Sequence, residues 1–158
     1  MMRRNIINIA PWLFMAVLVS GLALYLLNKQ DDFQLDCSAK GQISVNKMIL
    51  HYVNSYHFSP DGNGVSSVSG WLKNEHGAVD NVGIQLYFSY TLDSGMLTLK
   101  NKYTNISTEN TVSAEVLKKL FPAVYWKKDS EQKIYAYAMG GGYRFNYGPF
   151  PVNFCYLN

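Results

Sequence analysis

The sequence predicts an α+β chain in which β-structure dominates. Its parts are an N-terminal transmembrane helix, then a small antiparallel β-sheet curved into a half-barrel, with one short helix. Three observations lead there. An uncharged apolar stretch lies near the N-terminus, alternation of period two follows it, and helical period returns only briefly near residue 115.

The anchor comes first. Asn5 to Asn28 holds no charge, Ile6 to Leu27 is almost wholly apolar, and Arg3 and Arg4 precede it. Crossing a ~30 Å hydrocarbon layer as a helix takes about 20 such residues. This divides the chain into a tail at 1–5, a span at 6–28, a tether at 29–35 and a β-rich domain at 36–158. A cleaved signal peptide has a shorter apolar core, ~7–15 residues, and a small-x-small exit. Here the exit reads Tyr25-Leu26-Leu27-Asn28-Lys29. Lipidation at Cys37 is disfavoured because Asp31, Asp32 and Asp36 precede it. Pro11 falls in the first turns, where a missing N–H matters least. The arginines hold the N-terminus on the cytoplasmic side, so the domain is exported.

Composition bounds the exported part. Beyond the anchor's Arg3, Arg4 and Lys29, 11 basic residues face 11 acidic ones. A neutral domain lacks the basic face that nucleic-acid binding needs. Twelve tyrosines are β-rich usage. Cys37 and Cys155 are the two cysteines, one at each end of the domain. An oxidising compartment favours a disulfide between them, and two free buried thiols are the alternative.

The elements follow in order. Leu50, Tyr52, Tyr56 and Phe58 share a parity, and Pro60-Asp61-Gly62-Asn63-Gly64 turns the chain. Val65 to Leu72 is a second run, and Glu75-His76-Gly77 a second turn. The clearest strand places Val82, Ile84, Leu86, Phe88 and Tyr90 on one face and Gly83, Gln85, Ser89 and Thr91 on the other. Asp93-Ser94-Gly95 leads to a fourth run, with Leu97, Leu99 and Tyr103 inward and Thr98, Lys100 and Lys102 outward. Ser113 to Phe121 reads as the helix, with Ser113 as N-cap, Val116, Leu117, Leu120 and Phe121 on its apolar face and Pro122 as its stop. A helix this short needs something to pack on. Strands resume at Lys133 to Met139 and at Tyr143 to Tyr147. Pro149 and Pro151 end regular pairing before Phe154-Cys155.

No catalytic, metal or cofactor constellation emerges, and a non-enzymatic domain is expected. His51 and His57 would lie about 20 Å apart along one strand at ~3.3 Å per residue. No serine sits in a Gly-x-Ser-x-Gly elbow. Gly140-Gly141-Gly142 lacks the following helix of a phosphate loop, and Asp61-Gly62-Asn63-Gly64 lacks the distal glutamate of a calcium loop. What the domain offers is aromatic surface. Trp71, Phe88, Tyr90, Tyr135, Tyr137, Tyr143 and Phe145 are the candidates for a partner or ligand face, against a plain reading in which they pack on one another. A curved, lipocalin-like sheet leaves edges for a partner or encloses a small apolar ligand.

The layout of anchor, tether, Cys37, the turn at Asp61-Gly62-Asn63-Gly64, Phe88-Ser89-Tyr90, Leu117-Lys118-Lys119-Leu120-Phe121-Pro122 and terminal Phe154-Cys155 resembles the FidL-like family of enterobacterial inner-membrane proteins. The resemblance implies an inner-membrane accessory with a periplasmic domain. That domain would pair with the sensor domain of a membrane-bound winged-helix transcription regulator, as ToxS does beside ToxR. It also implies a shared barrel able to hold bile-salt-like ligands, with no ligand residue carried over.

Overall fold

The computed structural model describes residues 15–21, 33–147 and 150–158, with no account of the side chains of 150–152. Two compact units divide the chain, Met1–Asp32 and Phe33–Asn158. In the first, residues 15–21 are helical (α1). Among the described residues no helix is long and apolar enough to cross a membrane. Most of the span expected over 6–28 lies outside them.

The second unit is mostly β. Its strands are β1 (Leu35–Val45), β2 (Met48–Ser59), β3 (Asn63–Lys73), β4 (Val79–Asp93), β5 (Met96–Ile106), β6 (Glu131–Met139), β7 (Gly142–Tyr147) and β8 (Phe150–Leu157). A helix, α2 (Ala114–Leu120), and a 3-10 turn at Ala123–Tyr125 separate β5 from β6. Each strand pairs antiparallel with the next, and β8 returns to β1. The expected half-barrel is therefore corrected: this chain closes an eight-stranded, lipocalin-like barrel by itself. Phe33 and Leu35, expected in the tether, belong to it.

Turn chemistry sets the register. Asn46 and Lys47 both adopt left-handed φ (47° and 64°), as do Ser94 and Gly95 (50° and 82°). Two-residue loops of that geometry match the twist of the flanking strands. Val45 therefore faces Met48, and Asp93 faces Met96. Period two then sends Val82, Ile84, Leu86, Phe88 and Tyr90 inward, as expected, where they meet Leu50, Phe58, Leu97, Leu99, Ile134 and Phe145. Eight strands leave an interior just wide enough for side chains to fill. The helix lies as expected: the Ser113 side chain accepts from the Val116 N–H, and Leu117 and Leu120 are buried.

Two expectations fail for local reasons. Tyr103 points outward, because β4 and β5 slip register between Tyr87 and Phe88 and Lys102 takes the unpaired place. One extra residue reverses the facing of all that follow. Pro151 does not end pairing. It stands opposite Asn146 where β7 and β8 slip register, and a bulge tolerates a missing N–H. Pro149 lies outside the described residues.

Closure is narrow. β1 and β2 align eleven residue pairs, but β1 and β8 align only Cys37 with Leu157 and Ser38 with Tyr156. At that seam Cys37 and Cys155 form a disulfide, with Cα atoms 5.3 Å apart. Gly142 packs close by, where a Cβ would stand 2.1 Å from the Cys155 carbonyl oxygen. The bridge spans 118 residues. The chain-entropy model gives a closure of that length about 4–5 kcal/mol. Cys37→Ala with Cys155→Ala should lower unfolding free energy by about that amount in urea titrations, and reductant should do the same to the wild type only.

Candidate functional site

The sequence candidates divide between inside and outside. Phe88, Tyr90 and Phe145 are buried in the core, and Tyr143 is half-buried inside the barrel beside Phe33. Trp71, Tyr135 and Tyr137 are exposed. Trp71 stacks on His51 at 4.2 Å, on β3 and β2. Tyr135 and Tyr137 share the outer face of β6 with Met139, and across β7 stand Phe154 and Tyr156 of β8, their rings 4.7 Å apart. The Arg144 guanidinium lies 5.2 Å from the centre of the Tyr137 ring. One contiguous patch of exposed aromatic and thioether surface results.

The barrel interior changes character along its axis. At one end Phe33, Phe58, Phe88 and Tyr90 pack edge to face, with centroids 5.1–6.4 Å apart. At the other end, under Leu120, Phe121 and Pro122, the lining turns polar. Tyr52, Asn54, Tyr56, Tyr125, Tyr147 and Asn153 surround a cavity of about 80 Å³. Ser66 Oγ donates to Asn54 Oδ1 at 2.7 Å and Asn54 Nδ2 donates to the Tyr125 hydroxyl at 3.1 Å, while Ser66 and Tyr125 oxygens lie 2.8 Å apart. Gly41 makes room for this. A Cβ there would stand 2.5 Å from the Tyr52 ring, which crosses β1 so that its hydroxyl reaches Asn153 of β8 at 3.3–3.4 Å. Beyond Ser38 the two strands are no longer paired, and this contact bridges the gap.

The phenols resist ionisation. Burial pushes the Tyr56 hydroxyl well above the usual tyrosine range, and the neighbouring Tyr147 and Tyr125 oxygens push it further. Tyr125 and Tyr147 are raised first by burial too; hydrogen bonds from Ser66 and Asn54 partly offset this for Tyr125.

Among the described residues, two outer grooves stand out. The larger, about 600 Å³, lies between β3, β4 and the loop from Ile106 to Glu109. Its lining is mainly Ser, Asn, Gln and Gly, and Glu109 alone is ionisable. The smaller, about 230 Å³, crosses β2 to β5 and is lined by His57, Ser59, Asn63, Tyr87, Lys102 and Tyr103 among others. Sequence reasoning missed its residues. Asp36 faces His57 only once the β1–β2 register is known, and the alternation of Leu35, Cys37, Ala39, Gly41, Ile43 and Val45 with polar residues, the signal that marks β1, was passed over. The Asn46-Lys47 turn was the signal that gives this register. Among the described residues no three His, Cys, Asp or Glu side chains converge as metal ligands.

The chain matches no family model and no curated protein.

The tyrosine cluster ties stability to alkali. A hydroxyl raised in the folded state favours folding fully below the unfolded pKa of about 10, and this is lost as pH climbs toward the folded value. Each such group should remove about 1.4 kcal/mol per pH unit over that window. Phenolate absorbance and far-ultraviolet dichroism should then change together above pH ~10, with a late fraction of the tyrosines ionising only on unfolding. Early ionisation of every tyrosine in an intact barrel would contradict this. Tyr125→Phe should cost about 1–3 kcal/mol in chemical unfolding, because Asn54 and Ser66 lose a buried partner.

Proposed function

We propose that this is a membrane-tethered accessory whose barrel docks, through the outer face of β6 and β8, on the sensor domain of a membrane-bound winged-helix transcription regulator. The carrying observation is the patch of Tyr135, Tyr137, Met139 and Tyr156, each between 38% and 62% exposed, with Arg144 set over Tyr137. Aromatic residues, Met and Arg are the types that interface cores collect, and large exposed apolar patches mark such faces. The sequence supports a tether in the inner membrane with the barrel in the periplasm, and a domain of balanced charge supports a protein partner over nucleic acid. The likeness of layout to FidL-like proteins supports a regulator as that partner.

The rival reading, a self-contained carrier of apolar or bile-salt-like ligands, has less support. Small-molecule pockets run to about 300–1,000 Å³. The cavity inside this barrel is only about 80 Å³, its walls shared between tyrosine and asparagine side chains and the apolar Ile43, Leu120, Phe121 and Pro122.

The full chain should co-purify from detergent extracts with such a regulator. Tyr137→Lys and Tyr156→Lys should each weaken the complex roughly 30-fold, the scale of an interface hot spot, while leaving the thermal midpoint of the barrel unchanged. Undiminished binding by both variants, or a chain whose deletion alters no regulator, would remove this reading.

A further inference from the structure

We propose that Asp36, His57 and Ser59 form a nucleophilic relay that takes acyl groups from small esters in the groove across β2 to β5. This goes beyond docking: its side chains stand on β1, β2 and β5, not on the strands β6 and β8 that carry the docking patch.

Three features carry it. His57 and Ser59 stand two apart on the outer face of β2, and Asp36 is the cross-strand partner of His57. Asp36 Oδ1 bonds to His57 Nδ1, and Ser59 Oγ lies 3.0 Å from His57 Nε2. With a carboxylate on Nδ1, that nitrogen holds the proton and Nε2 is left to accept, which is the tautomer a general base requires. A cross-strand ion pair alone would account for Asp36 and His57, but not for a hydroxyl on the far nitrogen at the wall of a groove. Second, the Ser59 carbonyl oxygen accepts from the Gly62 N–H at 3.1 Å and lies 2.7 Å from the Tyr90 hydroxyl, whose one proton it shares with the Phe33 carbonyl at 2.6 Å; these contacts fix the strand end that presents the nucleophile. Third, Lys102 occupies the bulge between β4 and β5, and its amine reaches Asn63, the cross-strand partner of Ser59. Asn63 is itself anchored on Asp61 by two bonds of 2.9 and 3.0 Å. A bulge that re-aims a side chain thus brings a positive charge into the groove that Ser59 lines.

The chemistry balances. Ser59 Oγ adds to the ester carbonyl carbon as its proton passes to His57 Nε2. The Lys102 ammonium faces the oxyanion. Collapse breaks the bond to the alcohol oxygen, which leaves with the proton from His57. Water, deprotonated by His57, then splits the acyl-serine to the carboxylic acid. Tyr87 and Tyr103, stacked at 4.3 Å, offer the acyl group an apolar wall, and about 230 Å³ limits it to a short one. Asp36 acts through His57 and is a positioning residue.

The test uses the full chain in detergent micelles, a fluorophosphonate probe and p-nitrophenyl acetate. Intact mass should show one adduct, mapped to Ser59 and absent in Ser59→Ala. His57→Gln should slow labelling at least 100-fold, the lower end of general-base contributions. Asp36→Asn should slow it with no change in thermal midpoint, which a purely structural carboxylate would not do. No adduct, an adduct that survives Ser59→Ala, or labelling indifferent to His57→Gln overturns the proposal.

Discussion

The barrel depends on one covalent bond at its thinnest seam. Around most of the wall, neighbouring strands share five to eleven aligned residue pairs, but β1 and β8 share two. An up-and-down sheet that fails to close exposes two edges, and exposed edges recruit other strands. The Cys37–Cys155 bridge holds the first strand to the last where the ladder is too short to do so. Because the seam is short, β1 from Ala39 to Val45 pairs only with β2 among the described residues. The mouth left there is where the polar cavity sits and where Tyr52 reaches over Gly41 to Asn153.

The interior is a gradient from grease to hydroxyls. Aromatic rings packed edge to face fill one end and need nothing from water. The other end buries Asn54 and Ser66, each matched to the Tyr125 hydroxyl delivered by the segment after α2. A satisfied buried network of this kind specifies one arrangement, since each loss strands a partner. The helix therefore does more than cover apolar surface. By carrying Leu117 and Leu120 into the core and leading into the turn that brings Tyr125 to the network, it fixes how the mouth is closed.

The outer wall carries the functional readings, and bulges arrange both of its faces. The slip between β4 and β5 turns Tyr103 outward onto Tyr87 and frees Lys102 to reach Asn63. The slip between β7 and β8 accommodates Pro151 and leaves Phe154 and Tyr156 beside the aromatic face of β6. An eight-stranded barrel whose inside is filled has little left to recognise with except this wall. That is why a docking role draws more support than a carrier role.

By itself the sequence determined the β-rich class, the inward row from Val82 to Tyr90, the capped helix ending at Pro122 and the two cysteines at the domain's ends. Each is a local or periodic signal, carried by side-chain alternation, one capping serine or one ring-locked φ. Tertiary structure alone decided closure, because closure depends on which strand meets β8 after 118 residues of chain. It alone decided which aromatics are core: Phe88, Tyr90 and Phe145 look the same in sequence as Tyr135 and Tyr137, and only the register of the barrel separates inside from outside. β1 alternates cleanly but was read as tether and lead-in because Cys37, Ala39 and Gly41 give its middle little apolar bulk, and β8 was missed because Pro149 and Pro151 read as stops. The grouping of Asp36, His57 and Ser59 was illegible for a related reason: two of its members meet through a strand pairing, and a pairing has no signature until its turn is recognised.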